Sequence, residues 1–91
     1  MDLYTFIMAF RGGTYISQVS ADNVNSACFE WAKQLTVNDI KYFGPAAKRE
    51  LINSWDEEFS PVPITGVINV WCYCVGLRVG FIMVNIIKTS V

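Results

Sequence analysis

The run Val67–Ile87, VINVWCYCVGLRVGFIMVNII, constrains this chain more than any other stretch. It is long enough to cross a membrane as a helix, which needs about 20 apolar residues. However, Arg78 falls inside it, flanked by Gly76 and Gly80, and β-branched residues dominate. An arginine at the centre of a span costs about 2.5–3.5 kcal/mol on insertion scales. The same arginine at the turn of a hairpin stays in water. The run is therefore expected to be a β-hairpin, with its turn at Gly76-Leu77, and no membrane is expected as a partner. In that register Cys74 faces Val79, Tyr73 covers Gly80, Cys72 faces Phe81 and Trp71 faces Ile82.

Alternation divides the hairpin into two faces. One carries Ile68, Val70, Cys72, Cys74, Val79, Phe81, Met83 and Ile87, with Asn85 as its polar member. The other carries Val67, Asn69, Trp71, Tyr73, Gly80, Ile82, Val84 and Ile86. An antiparallel sheet covered on one side normally alternates apolar with polar. Here both faces are apolar, so one of them needs a cover beyond the chain's own helices. Trp71, Tyr73, Ile82, Val84 and Ile86 are expected to be that outer face and to form an interface.

The upstream chain supplies the elements that cover the other face. Leu3–Phe10 and Thr14–Ser20 are aromatic and β-branched runs on either side of Gly12-Gly13, a tight-turn dipeptide. Pairing Phe10 with Tyr15, Met8 with Ser17 and Phe6 with Val19 builds an aromatic face that also holds Tyr4. Ser20 or Asp22 can cap a helix in which Val24, Ala27, Cys28, Trp31, Ala32 and Leu35 recur on one stripe. Thr36–Phe43 reads as a connector with about one helical turn. Gly44-Pro45 opens a second helix, with Ala47, Leu51, Ile52 and Trp55 inward and its end near Asp56-Glu57-Glu58. Ser60–Gly66, SPVPITG, reads as a linker held extended by Pro61 and Pro63. The expected fold is α+β, ββααββ: a four-stranded, mainly antiparallel sheet with two helices on one face. Residues 1–91 make a single domain.

Composition sharpens the need for a cover. Hydrophobic residues are 53% of the chain and charged residues only 16%, against roughly 25% charged in an average domain. A domain this small buries a modest fraction of its surface, so apolar surface is left over. The formal net charge of −1 comes from seven basic and eight acidic residues. It provides no basic stripe, and nucleic acid is not expected as a partner.

Three cysteines, Cys28, Cys72 and Cys74, do not make a complete disulfide framework. They read as reduced thiols of a cytoplasmic protein. The start, MDLYTFIMAFRGG, has neither the basic onset nor the cleavage site of a signal peptide.

The chain contains no histidine. This removes the commonest general base and metal ligand, and every Ser-His or Cys-His nucleophile pair. Cys72 and Cys74 with Cys28 lack the ligand number and spacing of a zinc site. Asp56-Glu57-Glu58 are adjacent and do not face a common cation. Arg11-Gly12-Gly13-Thr14 lacks the lysine and following helix of a phosphate loop. No catalytic residue, metal ligand or cofactor is expected.

The opening, YTFI…RGGTYISQV followed by SACFEWA on a capped helix, resembles that of small bacterial proteins of unassigned function. The resemblance covers the first third of the chain and implies no chemistry. The strand–turn–strand–helix start also resembles antitoxins of the HicB kind, which implies a regulatory protein-binding role. The chain departs from them in lacking an acidic Pro-Gly-Cys return strand and a DNA-binding tail. The leading expectation is a non-catalytic protein that forms a homo-oligomer through its open sheet face. The alternatives are a small-molecule-binding module, with a pocket near Tyr4, Phe6, Tyr15 and Trp31 into which Ser17, Gln18 or Asn85 points, and a heterologous protein partner.

Overall fold

A computed structural model describes residues 1–54 and 61–89. The strands are β1 (Asp2–Phe10), β2 (Gly13–Ala21), β3 (Val62–Pro63), β4 (Val70–Leu77) and β5 (Gly80–Lys88). The helices are α1 (Val24–Gln34) and α2 (Pro45–Asn53), and a short 3-10 turn, Val37–Asp39, lies in the connector between them. All five strands join one antiparallel sheet in the order β2-β1-β5-β4-β3. The class is α+β, as expected. Among the described residues the sheet, however, has five strands rather than four.

The fifth strand comes from the stretch read as a linker. Val62 pairs with Cys72 and Pro63 with Trp71, and the Ile64 amide donates to the Val70 carbonyl at 3.0 Å. Proline has no N–H to donate to a ladder, and the edge position of β3 accommodates Pro63. The short, proline-bearing β3 leaves that edge of the sheet little to pair with.

Both hairpin turns differ from their expected places, the first by one residue and the second by two. The first turn is Arg11-Gly12, where φ is 47° and 82°. Positive φ at both central residues belongs to the tight turn whose twist matches its strands. Phe10 consequently pairs with Gly13, Met8 with Tyr15, Phe6 with Ser17 and Tyr4 with Val19. The second turn is Arg78-Val79, closed by Leu77 and Gly80. Trp71 then pairs with Ile86, Tyr73 with Val84 and Cys74 with Met83. Both slips change pairing by an even number, so the same residues still share each face. Gly80 is covered by Phe10 and the Arg11 stem, not by Tyr73.

Helix α1 begins at Asn23, not at Ser20 or Asp22. Its side-chain Oδ1 accepts from the Ser26 amide at 2.8 Å. Ser20 remains in β2. Ala27, Cys28, Trp31 and Ala32 form the buried stripe of α1. Trp31 stacks on Phe6, with ring centroids 5.1 Å apart. Helix α2 starts behind Gly44 with Pro45 in its first turn, and buries Ala47 and Leu51. The Lys48 ammonium donates to the Leu35 carbonyl at 2.8 Å, tying α2 to the end of α1. Trp55 and the expected acidic end at Asp56–Glu58 lie outside the described residues.

The pairing of β1 with β5 joins the two hairpins and selects the core. Phe6 lies opposite Ile86, Met8 opposite Val84 and Phe10 opposite Ile82. These six are the largest side chains below 2% exposure. The expected outer face is thereby corrected. Ile82, Val84, Ile86 and Tyr73 are buried beneath the helices, and Trp71 packs against the same core at its margin. The physical reason is the β1–β5 register, which sets Ile82, Val84 and Ile86 beside Phe10, Met8 and Phe6 so that the aromatic face of β1 and this face of β5 form one apolar surface under the helices.

Phe6→Ala is expected to lose about 3–5 kcal/mol of stability, and Asn23→Ala about 1 kcal/mol. Urea unfolding followed by circular dichroism measures both, and the slope should stay constant for the Asn23 variant.

Candidate functional site: an uncharged sheet face and an edge cavity

Among the described residues, no element covers the side of the sheet away from the helices. Its residues fall in cross-strand rows. Thr14, Ala9, Met83 and Cys74 make one row, and Ile16, Ile7, Asn85, Cys72 and Val62 the next. Gln18, Thr5, Ile87 and Val70 make a third, and Phe81 stands opposite Gly76. None of these positions holds a charged residue. Ile16 is 66% exposed, Phe81 58% and Met83 42%. The face is thus an exposed apolar surface on strands, where water-facing sheets usually carry polar side chains.

Polar groups gather at one end of this face. Gln18 Nε2 donates to Thr5 Oγ1 at 3.1 Å, Thr5 Oγ1 contacts Thr89 Oγ1, and Thr89 Oγ1 donates to the Ile87 carbonyl at 3.0 Å. The hydroxyls and the amide therefore satisfy one another, leaving the Ile7, Ile16, Met83 and Phe81 region as the apolar part.

A second feature lies at the β2 edge, below the end of α1. A cavity of about 360 Å³ is lined by residues 14–17 of β2, by Trp31, Gln34, Leu35 and Thr36 at the end of α1, and by Asp39 and Ile40. The Tyr15 hydroxyl accepts from the Lys41 amide at 3.3 Å. The Tyr15 ring lies across Gly13, where a Cβ would stand 2.6 Å from the phenol oxygen. A glycine at that position therefore lets the ring lie flat along its own strand.

The structure brings together Tyr15, Ser17 and Trp31 of the pocket expected from sequence. Tyr4 and Phe6 are instead filled core, and Gln18 and Asn85 lie on the opposite face of the sheet. Asp39 and Gln34 were not anticipated, because a connector's aim relative to an edge strand leaves no periodic signal. The interface residues expected from sequence are on the covered side. The exposed set is their alternate, with Ile16 added from β2. Alternation did give this set as the hairpin's second face.

The three thiols are free and occupy two environments. Cys28 is buried on α1, and desolvation pushes its thiol up to about 12. Cys72 and Cys74 lie on the open face with their sulfurs 3.7 Å apart. The Cys74 thiol is raised by desolvation first, then by its hydrogen bond to Cys72 and the repulsion of that neighbour's charge. Among the described residues no group of three His, Cys, Asp or Glu is placed to hold a metal, and no helix is long and apolar enough to cross a membrane.

Family models, curated proteins and solved structures provide no match to this chain.

Because the Cys28 thiol rises from its ordinary value near 9 to about 12 on folding, the folded state holds its proton where the unfolded state loses it. Stability is therefore present below pH 9 and falls as pH rises from there toward 12. A Cys28→Ala variant should show a shallower alkaline loss in urea midpoints measured across that range. Iodoacetamide should label Cys72 and Cys74 in the native protein, and Cys28 only after unfolding.

Proposed function

We propose that the protein is a non-catalytic module that self-associates through the open face of its sheet. The observation that carries this reading is the uncharged, cross-strand apolar surface around Ile7, Ile16, Phe81 and Met83. A second copy suits it because two uncharged faces meet without like-charge repulsion. Face-to-face packing of sheets about 10 Å apart is also a standard way to bury such a surface. The polar Thr5–Gln18–Thr89 cluster would lie at the rim, where water can still reach it.

Sedimentation velocity from about 1 to 100 μM tests the reading, a span covering ordinary micromolar affinities. Dimers or larger species are expected, and Phe81→Glu with Met83→Glu should return the chain to a monomer. A wild-type monomer throughout that range overturns it. Capture of a reproducible second polypeptide by a wild-type chain that stays monomeric would assign the face to a heterologous partner instead.

The edge cavity favours a second reading, a small-molecule-binding module. Its volume falls within the range of ligand sites, roughly 300–1,000 Å³, and Ser17, Gln34 and Asp39 provide polar groups beside the Trp31 and Tyr15 rings. Binding there should move the amide resonances of Tyr15, Trp31 and Leu35 together in a fragment screen by NMR. No such joint shift from any compound disposes of this reading.

A further inference from the structure

We propose that Cys72, Cys74 and Met83 form a surface site for a soft monovalent cation, Cu(I) or its analogue Ag(I), held by two thiolates and one thioether. Two side chains on alternate residues of a strand stand about 6.6 Å apart when they project in parallel. The Cys72 and Cys74 sulfurs are instead 3.7 Å apart, so these side chains lean toward each other. Two sulfurs bound at about 2.3 Å to one metal stand roughly 3.8 Å apart at a tetrahedral angle and roughly 4.0 Å apart at a trigonal one. The thiols are thus within a few tenths of an ångström of a chelating pair.

The ladder supplies the third sulfur. Met83 is the cross-strand partner of Cys74, on the same face, and is exposed. The Lys88 amide donates to the Asn69 carbonyl at 2.8 Å, which makes Asn69 and Lys88 a hydrogen-bonded pair. Counting along the ladder, Cys74 and Met83 are then a non-hydrogen-bonded pair, the arrangement that brings facing side chains closest. Cys28, the third thiol in sequence, is buried on α1 on the other side of the sheet and takes no part.

The donor set selects the ion. Thiolate and thioether together favour Cu(I) over harder divalent cations. Among the described residues the open face carries no carboxylate, and the chain has no histidine to complete a zinc site. Binding releases the two thiol protons to solvent and leaves the metal in the +1 state, so no oxidant or reductant is consumed.

Native mass spectrometry of the full chain titrated with Ag(I), in anaerobic chloride-free buffer, reads metal count and oligomeric state together. Competition with bicinchoninate for Cu(I) reads affinity. One metal per chain is expected. Cys72→Ser or Cys74→Ser should weaken binding by roughly 1,000-fold, and Met83→Leu by roughly 10-fold. Equal affinity in the wild type and Met83→Leu removes the thioether and overturns the three-sulfur site. Equal affinity in either serine variant, or no uptake by the wild type, overturns the site altogether. Met83→Leu keeps the face apolar, so self-association should persist in that variant and the two proposals fail separately.

Discussion

The pairing of β1 with β5 is the interaction on which the rest of this structure depends. It joins the first strand to the last and places both at the middle of the sheet, with a hairpin partner outside each. Its register puts Phe6, Met8 and Phe10 beside Ile86, Val84 and Ile82. These side chains form the floor on which Trp31 and α1 rest. A slip of one residue would bring the opposite set of β5 side chains under the helices. The Thr89 amide, donating to the Leu3 carbonyl at 2.7 Å, extends the same ladder beyond the strand end.

The two ends of the sheet are fastened by different means. At the turn end, the Arg11 guanidinium donates to the Val79 carbonyl at 3.2 Å and lies 4.3 Å from the centre of the Tyr42 ring. One side chain thus links both hairpin turns and the connector between the helices. Nearby, Glu50 on α2 accepts from the Arg78 amide at 2.9 Å. At the other end the fastening is the Thr5–Gln18–Thr89 cluster on the open face. The Arg11 and Glu50 contacts lie at the turn end of the sheet, and among the described residues the middle of the open face has no charge. That distribution underlies both the exposed apolar patch and the exposed sulfur group.

Much of the fold was legible in the residues. The helical stripe of Ala27, Cys28, Trp31 and Ala32 needed only a 3.6-residue period, and Gly44-Pro45 marked the start of α2. The aromatic face of the first hairpin followed from alternation, as did the membership of each face of the second. Local choices were less legible. Asn23, Asp22 and Ser20 are all good caps, and the winner depends on where β2 stops pairing with β1. Val62-Pro63 reads as extended chain whether or not a neighbouring strand accepts it. The candidate site was half legible: two apolar faces announced an uncovered surface, but not which one.

By itself the sequence determined that the last hairpin has two apolar faces, that one would lack a cover, and that imidazole chemistry is absent. Those are properties of residue type and of a period of two, which no tertiary arrangement alters. Only the tertiary structure decided that Trp71, Tyr73, Ile82, Val84 and Ile86 go inward while Ile16, Phe81 and Met83 face out. That choice is made by the register between two strands more than 70 positions apart. The hairpin register of β4 with β5, closed at Arg78-Val79, sets Met83 opposite Cys74 on the open face. Long-range pairing carries no signature in either strand alone, because each strand is compatible with both outcomes until the other arrives.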